Sequence, residues 1–223
     1  MENIQKYIDQ TLLLQDVTKD DIINFCKEAS KYNFYAVCVQ PYRVITAVDT
    51  LKSSKTKVAA VVGFPCGSTY TEVKVLEAQK CIQDGADEID MVINIGALKE
   101  RDIERVKSDI KAIANLSRRS NVILKVIIET VLLTEDEKVL ACKIAVEAGT
   151  DFVKTSTGMT KNSKPATVED VRLMYETVSS SGVKVKASGG IKDYETAVKM
   201  IEAGAGRIGT SSGVQIIKKE ISA

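Results

Sequence analysis

The chain has 223 residues, 31 Lys+Arg against 30 Asp+Glu, a formal net charge of +1 and no histidine. The charge balance excludes a protein held to nucleic acid or to an anionic membrane by a basic excess. The missing histidine excludes Ser-His-Asp and Cys-His catalysis and any His-ligated zinc site. Acid–base chemistry near neutral pH therefore falls to Lys, Asp/Glu, Tyr, Cys or water.

The opening residues, MENIQKYIDQ, lack the basic segment and apolar run of a secretory signal. No stretch approaches the ~20 apolar residues of a membrane span. Trp is absent, so a stacking surface for single-stranded nucleic acid is not expected. The cysteines, Cys26, Cys38, Cys66, Cys81 and Cys142, are odd in number and form no Cys-x-x-Cys pair, which predicts reduced thiols and a cytoplasmic protein.

Along the chain a short apolar, β-branched run, a turn and a longer helical-period segment alternate. A first strand is placed in the Tyr7–Leu13 run. Clearer ones follow near 34–39 (FYAVCV), 57–63 (KVAAVVG), 87–93 (DEIDMVI) and 122–128 (VILKVII). Three more lie near 151–155 (DFVKT), 183–187 (VKVKA) and 206–210 (GRIGT). Segments such as Glu72–Asp84 and Glu135–Gly149 carry apolar residues at i, i+3 and i+4. Gly85, Gly149, Gly182 and Gly204 stand where left-handed C-caps turn a helix into the next strand. Strand–helix alternation implies parallel β with right-handed crossovers. Eight units predict one domain over residues 1–223, an α/β fold closed as a (β/α)₈ TIM barrel. An open doubly wound sheet is the alternative. Residues 204–209 spell GxGxxG, but they end a helix and enter the last strand, the reverse of a dinucleotide site.

Strands buried on both faces should be continuously apolar. Asp90, Lys125, Lys154 and Lys186 break that rule at or near strand ends, where barrel enzymes carry their chemistry. Any one alone reads equally as a solvated strand end or half of an ion pair. By alternation Phe152, Lys154 and Ser156 share a face, as do Lys184 and Lys186, and Glu88 and Asp90. Two ammonium groups in one confined site repel, so one loses its proton more easily and becomes a nucleophile for carbonyls. Asp90 offsets the remaining charge and can move protons through water. The Ser188-Gly189-Gly190-Ile191 and Gly209-Thr210-Ser211-Ser212-Gly213 loops, the second leading into a final helix, stand where barrels seat phosphate. Cys38 reads as a packed core thiol. A phosphorylated carbonyl substrate, an activated lysine and no need for metal or cofactor together point to a Schiff-base aldolase.

At this point the sequence resembles the deoxyribose-phosphate aldolase family, class I Schiff-base lyases. The resemblance is carried by Glu88-Ile89-Asp90-Met91-Val92, Val153-Lys154-Thr155-Ser156-Thr157-Gly158 and Val185-Lys186-Ala187-Ser188-Gly189-Gly190-Ile191. Val61-Val62-Gly63-Phe64-Pro65, Lys125-Val126-Ile127-Ile128-Glu129-Thr130 and Arg207-Ile208-Gly209-Thr210-Ser211-Ser212-Gly213 extend it, and it runs from about Ile8 to Gly213. It implies a (β/α)₈ barrel that reversibly cleaves 2-deoxy-D-ribose 5-phosphate to D-glyceraldehyde 3-phosphate and acetaldehyde, in deoxyribonucleotide catabolism. Its partners are then a phosphorylated sugar and a small aldehyde, and a homodimer is implied. The resemblance makes Lys154 the Schiff-base lysine, Lys186 the lysine that eases its deprotonation, and Asp90 the proton-relaying carboxylate. It makes Gly189, Gly190, Gly209, Ser211 and Ser212 the phosphate site, bordered by Gly158. Asp9, Thr11 and Lys125 are supporting residues. Departures are Gln10 where many relatives have His, Gln40 where many have Asn, and an end at Glu220-Ile221-Ser222-Ala223 without a terminal Tyr. The last predicts an effect on rate, not on reaction type. Met159, Lys161 and Lys164 follow Gly158, and the two lysines are candidates for phosphate contact. A Schiff-base aldolase with a larger donor and a catalytically silent phosphosugar-binding barrel are the competing readings.

Overall fold

The computed structural model describes residues 3–160 and 165–221. Eight parallel strands close into a barrel in chain order. They are β1 (Ile8–Leu12), β2 (Ala36–Val39), β3 (Lys57–Val62), β4 (Glu88–Val92), β5 (Ile123–Ile127), β6 (Phe152–Lys154), β7 (Lys184–Ser188) and β8 (Ala205–Thr210). Helices α1 (Lys19–Lys31), α2 (Val44–Leu51), α3 (Thr71–Gln83), α4 (Ile95–Lys99) and α5 (Ile103–Arg119) cover the first half. The second half carries α6 (Glu135–Ala148), α7 (Val168–Val178), α8 (Tyr194–Glu202) and α9 (Gly213–Ile221). The open-sheet alternative fails because β8 pairs with β1, Ile8 opposite Ile208 and Gln10 opposite Thr210. Among the described residues no helix is long and apolar enough to cross a membrane.

Local chemistry sets the element ends. Thr18 with Asp21, and Thr134 with Glu137, form capping boxes at the starts of α1 and α6. Helix α5 buries Val106, Ile110, Ile113, Ala114 and Ser117, a 3.6-period stripe, against the barrel. The main core lies between strands and helices. Inside the barrel a small separate cluster, Leu13, Cys38, Ala59 and Val61, fills the β2–β3 side. The strands on the other side turn charged residues inward, so the lumen is half apolar and half ionic.

One irregularity positions a charge. Between β7 and β8 the pairing passes from Val185↔Ala205 to Lys186↔Arg207, leaving Gly206 as an extra residue on β8. A bulge of this kind re-aims the following side chain. Arg207 thereby shares the lumen face with Lys186.

The expected C-cap glycines differ in what surrounds them. Gly182 (φ +79°) has nothing within 4 Å of the position a Cβ would take. At Gly204 (φ +110°) a Cβ would fall 2.3 Å from Cγ of Tyr175. Gly182→Ala should therefore cost only left-handed strain, about 1–2 kcal/mol. Gly204→Ala should lose about 1–3 kcal/mol more, as the ring is forced aside. Urea denaturation of the two variants measures the difference; equal losses would show that Tyr175 yields freely.

Candidate active site

Seven charged side chains enter the lumen, each at most 3% exposed: Asp9, Glu88, Asp90, Lys125, Lys154, Lys186 and Arg207. Six of them close a circuit. Arg207 Nε lies 3.0 Å from Asp9 Oδ1, and Asp9 Oδ2 lies 2.5 Å from Lys186 Nζ. Lys186 Nζ donates to Asp90 Oδ2 at 2.9 Å, and Asp90 Oδ1 accepts from Lys125 Nζ at 2.6 Å. Lys125 Nζ lies 2.6 Å from Glu88 Oε2, which returns to Arg207 Nη2 at 2.5 Å. Cation and anion alternate all the way round, and each charge has two opposite neighbours. Burying an ion costs several kcal/mol unless it is well paired; here three positive and three negative groups cancel.

The ring fixes the protonation of its members. Burial would raise the Asp90 carboxyl, but Lys125, Lys154 and Lys186 override it and hold it well below the ordinary 3.8. Burial likewise opposes ionisation of Asp9, and Lys186 and Arg207 win. For Lys186 burial favours the neutral amine, yet Asp9 and Asp90 push its pKa above the ordinary 10.5. Lys125 is raised against burial by Asp90 and Glu88.

Lys154 is the seventh charge. Its Nζ donates to Asp90 Oδ2 at 2.7 Å, the oxygen that Lys186 also uses. Four cations against three carboxylates leave one positive charge over. Removing the proton of Lys154 leaves every ring member with both partners. Removing that of Lys186 leaves Asp9 one cation short, removing that of Lys125 leaves Glu88 one short, and in either case Asp90 must draw on Lys154. Of the seven, only Lys154 also lines the cavity above, a space of about 280 Å³. Its walls are the segment after β1 and the loops after β6, β7 and β8. Among the described residues the charged groups lining it are Lys154 and Lys192, both cations, beside glycines and hydroxyls. A carbonyl compound with an anionic end fits this arrangement.

The whole chain is similar to known aldolases. Residues 4–219 match the model of the DeoC/LacD family aldolases. The chain belongs to that family. Deoxyribose-phosphate aldolase of Thermococcus kodakarensis is 58% identical over 217 residues, 96% of each chain. That of Brevibacillus brevis is 54% identical over 215 residues, 96% of this chain and 95% of the relative. Among solved structures, an aldolase called QR15 superposes with a TM-score of 0.93 at 42% identity, covering 100% of this chain and 97% of the other. The deoxyribose phosphate aldolase of Aeropyrum pernix, described as a tetramer, gives 0.91 at 33% identity, over 98% and 91%.

In this DeoC/LacD aldolase the sequence-predicted residues fall into three places. Lys154 is at the floor of the cavity; Gly158, Gly189, Gly190, Gly209, Ser211 and Thr11 line its walls. Asp90, Lys186, Lys125 and Asp9 lie in the ring beneath. Ser212 is not among the lining residues: its N–H donates to Thr210 Oγ1 (2.9 Å) and its carbonyl accepts from Ile216 of α9 (3.0 Å). Gly209 also leaves room for a ring side chain, since a Cβ there would lie 3.0 Å from Lys186 Cε. Gln10, one of the departures from the resemblance, has a structural tie. Its Oε1 accepts from Gly213 N (2.9 Å) and its Nε2 donates to Ser211 O (3.3 Å), tying β1 to the loop after β8. Cys38 is packed and its Sγ lies 3.9 Å from Asp90 Oδ2; burial and that carboxylate push the thiol up, so it stays protonated. Lys161 and Lys164 lie outside the described residues.

Sequence reasoning missed Arg207 and Lys192 and gave Glu88 no role. Arg207 was legible by the rule that found Asp90, a charge inside a strand run. Lys192 sits on a loop whose course no periodicity predicts. Among the described residues no group of three His, Cys, Asp or Glu side chains is placed to hold a metal ion.

The ring has a pH signature. Asp9 and Asp90 are depressed below 3.8 in the folded chain and return to it on unfolding. Their contribution is complete above that value and is lost as pH falls through their folded values. The raised Lys125 and Lys186 contribute fully below 10.5 and lose it only as pH rises above. Asp90→Asn should cost about 3–5 kcal/mol at neutral pH and flatten the acid limb below about pH 4. Urea midpoints across the acid range measure this; parallel curves for wild type and variant would show that the lysines do not hold Asp90.

Proposed function

We propose that the protein reversibly cleaves 2-deoxy-D-ribose 5-phosphate to D-glyceraldehyde 3-phosphate and acetaldehyde through a Schiff base on Lys154. The observation that carries this reading is the surplus cation: of the three lysines in the barrel lumen, Lys154 alone is dispensable to the ring and open to the cavity. The relatives that share more than half of the sequence bear the name of this activity.

The neutral Lys154 amine attacks C1 of the open-chain sugar. The carbonyl oxygen takes up protons and leaves as water, giving a protonated C=N bond. The positive charge returns to the lysine nitrogen, within reach of Asp90 Oδ2, so a fixed carboxylate stabilises it without reorganisation. The C3 hydroxyl then gives up its proton, the C2–C3 bond breaks, and its electron pair moves toward the iminium nitrogen to form an enamine. C3 becomes the aldehyde of D-glyceraldehyde 3-phosphate. The enamine takes a proton at C2, water adds to C1, and acetaldehyde leaves with the amine restored. The C3 proton passes through water to Asp90 and returns from Asp90 through water to C2 of the enamine; Lys125 and Lys186 then restore the ionised carboxylate. The glycine loops after β7 and β8, with Ser211, Gly158 and Lys192, receive the phosphate.

Borohydride reduction in the presence of deoxyribose 5-phosphate should attach the two-carbon fragment to the peptide containing Lys154. Lys186→Leu leaves Asp9 one cation short and makes Lys154 the second cation of Asp90, so Lys154 must serve as a ring cation. Trapping by that variant should fail near neutral pH and recover as pH is raised, whereas Lys154→Leu should show none at any pH. Identical pH profiles for wild type and Lys186→Leu would deny Lys186 this role.

Ser211→Asp sets a charge against the phosphate at a solvent-facing rim. It should lower kcat/KM on the phosphorylated sugar by about 10- to 100-fold and spare unphosphorylated deoxyribose. Equal losses on both substrates would make the loop structural.

A further inference from the structure

Glu129 is a buried carboxylate that the chemistry above does not use. It follows β5 with φ 56° and ψ 67°, the left-handed region, and is 1% exposed. Non-glycine residues held there mark places where the surrounding structure enforces a conformation for a reason. Its neighbours are paired on both sides: Ile128 N donates to Lys154 O at 3.0 Å, and Thr130 N to Thr155 O at 2.8 Å. The left-handed turn between them swings the Glu129 side chain onto the loop after β6. There one oxygen, Oε2, accepts both the N–H (3.0 Å) and the hydroxyl (2.5 Å) of Thr157. Thr157 Oγ1 in turn accepts from Met159 N at 3.1 Å. The other oxygen, Oε1, has no hydrogen-bond partner among the described residues.

Thr157, Gly158 and Met159 form one wall of the cavity, facing Gly189, Gly190 and Lys192. The two walls are close, since a Cβ on Gly158 would lie 3.9 Å from Gly189 Cα. We propose that Glu129 is a positioning residue that sets the phosphate end of the cavity by clamping Thr157, and with it Gly158, against the loop after β7. It touches no substrate. Its negative charge, lying behind an anion seat, is a cost; its value is as a double acceptor at one oxygen. A neutral amide oxygen can fill that function. This inference rests on the proposed aldolase reading for the identity of the anion.

The test compares Glu129→Gln, Glu129→Leu and Thr157→Val. Calorimetry reads the Kd for inorganic phosphate, and steady-state kinetics reads KM and kcat on deoxyribose 5-phosphate. Glu129→Leu should raise the phosphate Kd and the sugar KM by about tenfold or more, the effect of losing hydrogen bonds to a charged group. The kcat should fall far less, and KM for unphosphorylated deoxyribose should hold. Glu129→Gln should bind phosphate as well as wild type or better. Thr157→Val, which keeps the N–H bond, should fall between. The inference is overturned by a wild-type Kd and KM in Glu129→Leu, by a Gln variant as weak as Leu, or by a wild type that binds no phosphate. If Glu129→Leu does not fold, an unchanged phosphate Kd in Thr157→Val overturns it. A wild type that binds phosphate with these shifts but fails to cleave the sugar would sink the aldolase reading and leave the clamp standing.

Discussion

The circuit Asp9–Lys186–Asp90–Lys125–Glu88–Arg207 is possible only in a closed barrel. Its members come from β1, β4, β5, β7 and β8, so Arg207 can meet both Asp9 and Glu88 only after the last strand has paired with the first. An open sheet would place those strands at opposite edges and strand each charge in an apolar layer. A broken buried pair costs about 3–5 kcal/mol, so the ring penalises every arrangement except closure. The apolar lining on the β2–β3 side, Cys38, Ala59 and Val61, keeps the other half of the lumen dry. In low dielectric each of the six pairings is strengthened, and so is the penalty for losing one.

The lower end of the barrel is closed by the same arginine. The Arg207 guanidinium lies 3.4 Å from the centroid of the Tyr35 ring and 5.7 Å from that of Phe152. Cation–aromatic contact of this kind holds a charge without supplying water to it. Lys184, expected to share a face with Lys186, does so at the exposed start of β7, with its Nζ 5.9 Å from the Phe152 centroid. One strand therefore carries a rim lysine at one end and a ring lysine two residues on. Burial, not residue type, separates their chemistry.

Most of the fold was legible because its signals are local: apolar runs of strand length, helical stripes such as that of α5, and glycine turns. Asp90, Lys125, Lys154 and Lys186 were legible as violations of the rule that such strands are apolar. What the sequence could not show was who pairs with whom. Lys125 reads like Lys154, a lysine within a strand run, yet it lies between Asp90 and Glu88 and has no face on the cavity. Arg207 breaks the same apolar rule, but its direction was not legible, since the extra Gly206 re-aims it. Ser212 and Ser211 are adjacent hydroxyls in one loop; only the backbone course shows that Ser212 spends its amide on Thr210. Glu129 stands in one of the motifs that carry the resemblance, yet its neighbours there show no role for it, because that role lies in a left-handed turn and a bond to a residue 28 positions away.

Pairing also explains how a site with fixed charges can run the reaction proposed for Lys154, whose charge changes. With Lys154 protonated, the seven groups carry one positive charge. With its amine free they carry none, and with the iminium formed they carry one again. At each stage the change occurs on the single nitrogen outside the circuit, beside a carboxylate already oriented by Lys125 and Lys186. The ring lysines and Arg207 keep their protons, and no dipole must turn. Stabilisation that is in place before the charge appears is the form that lowers a barrier most. A lysine inside the ring would have to break two ion pairs to become a nucleophile, and one without Asp90 nearby would form an iminium unsupported. Lys154, with one carboxylate oxygen held in common with Lys186, lies between those failures.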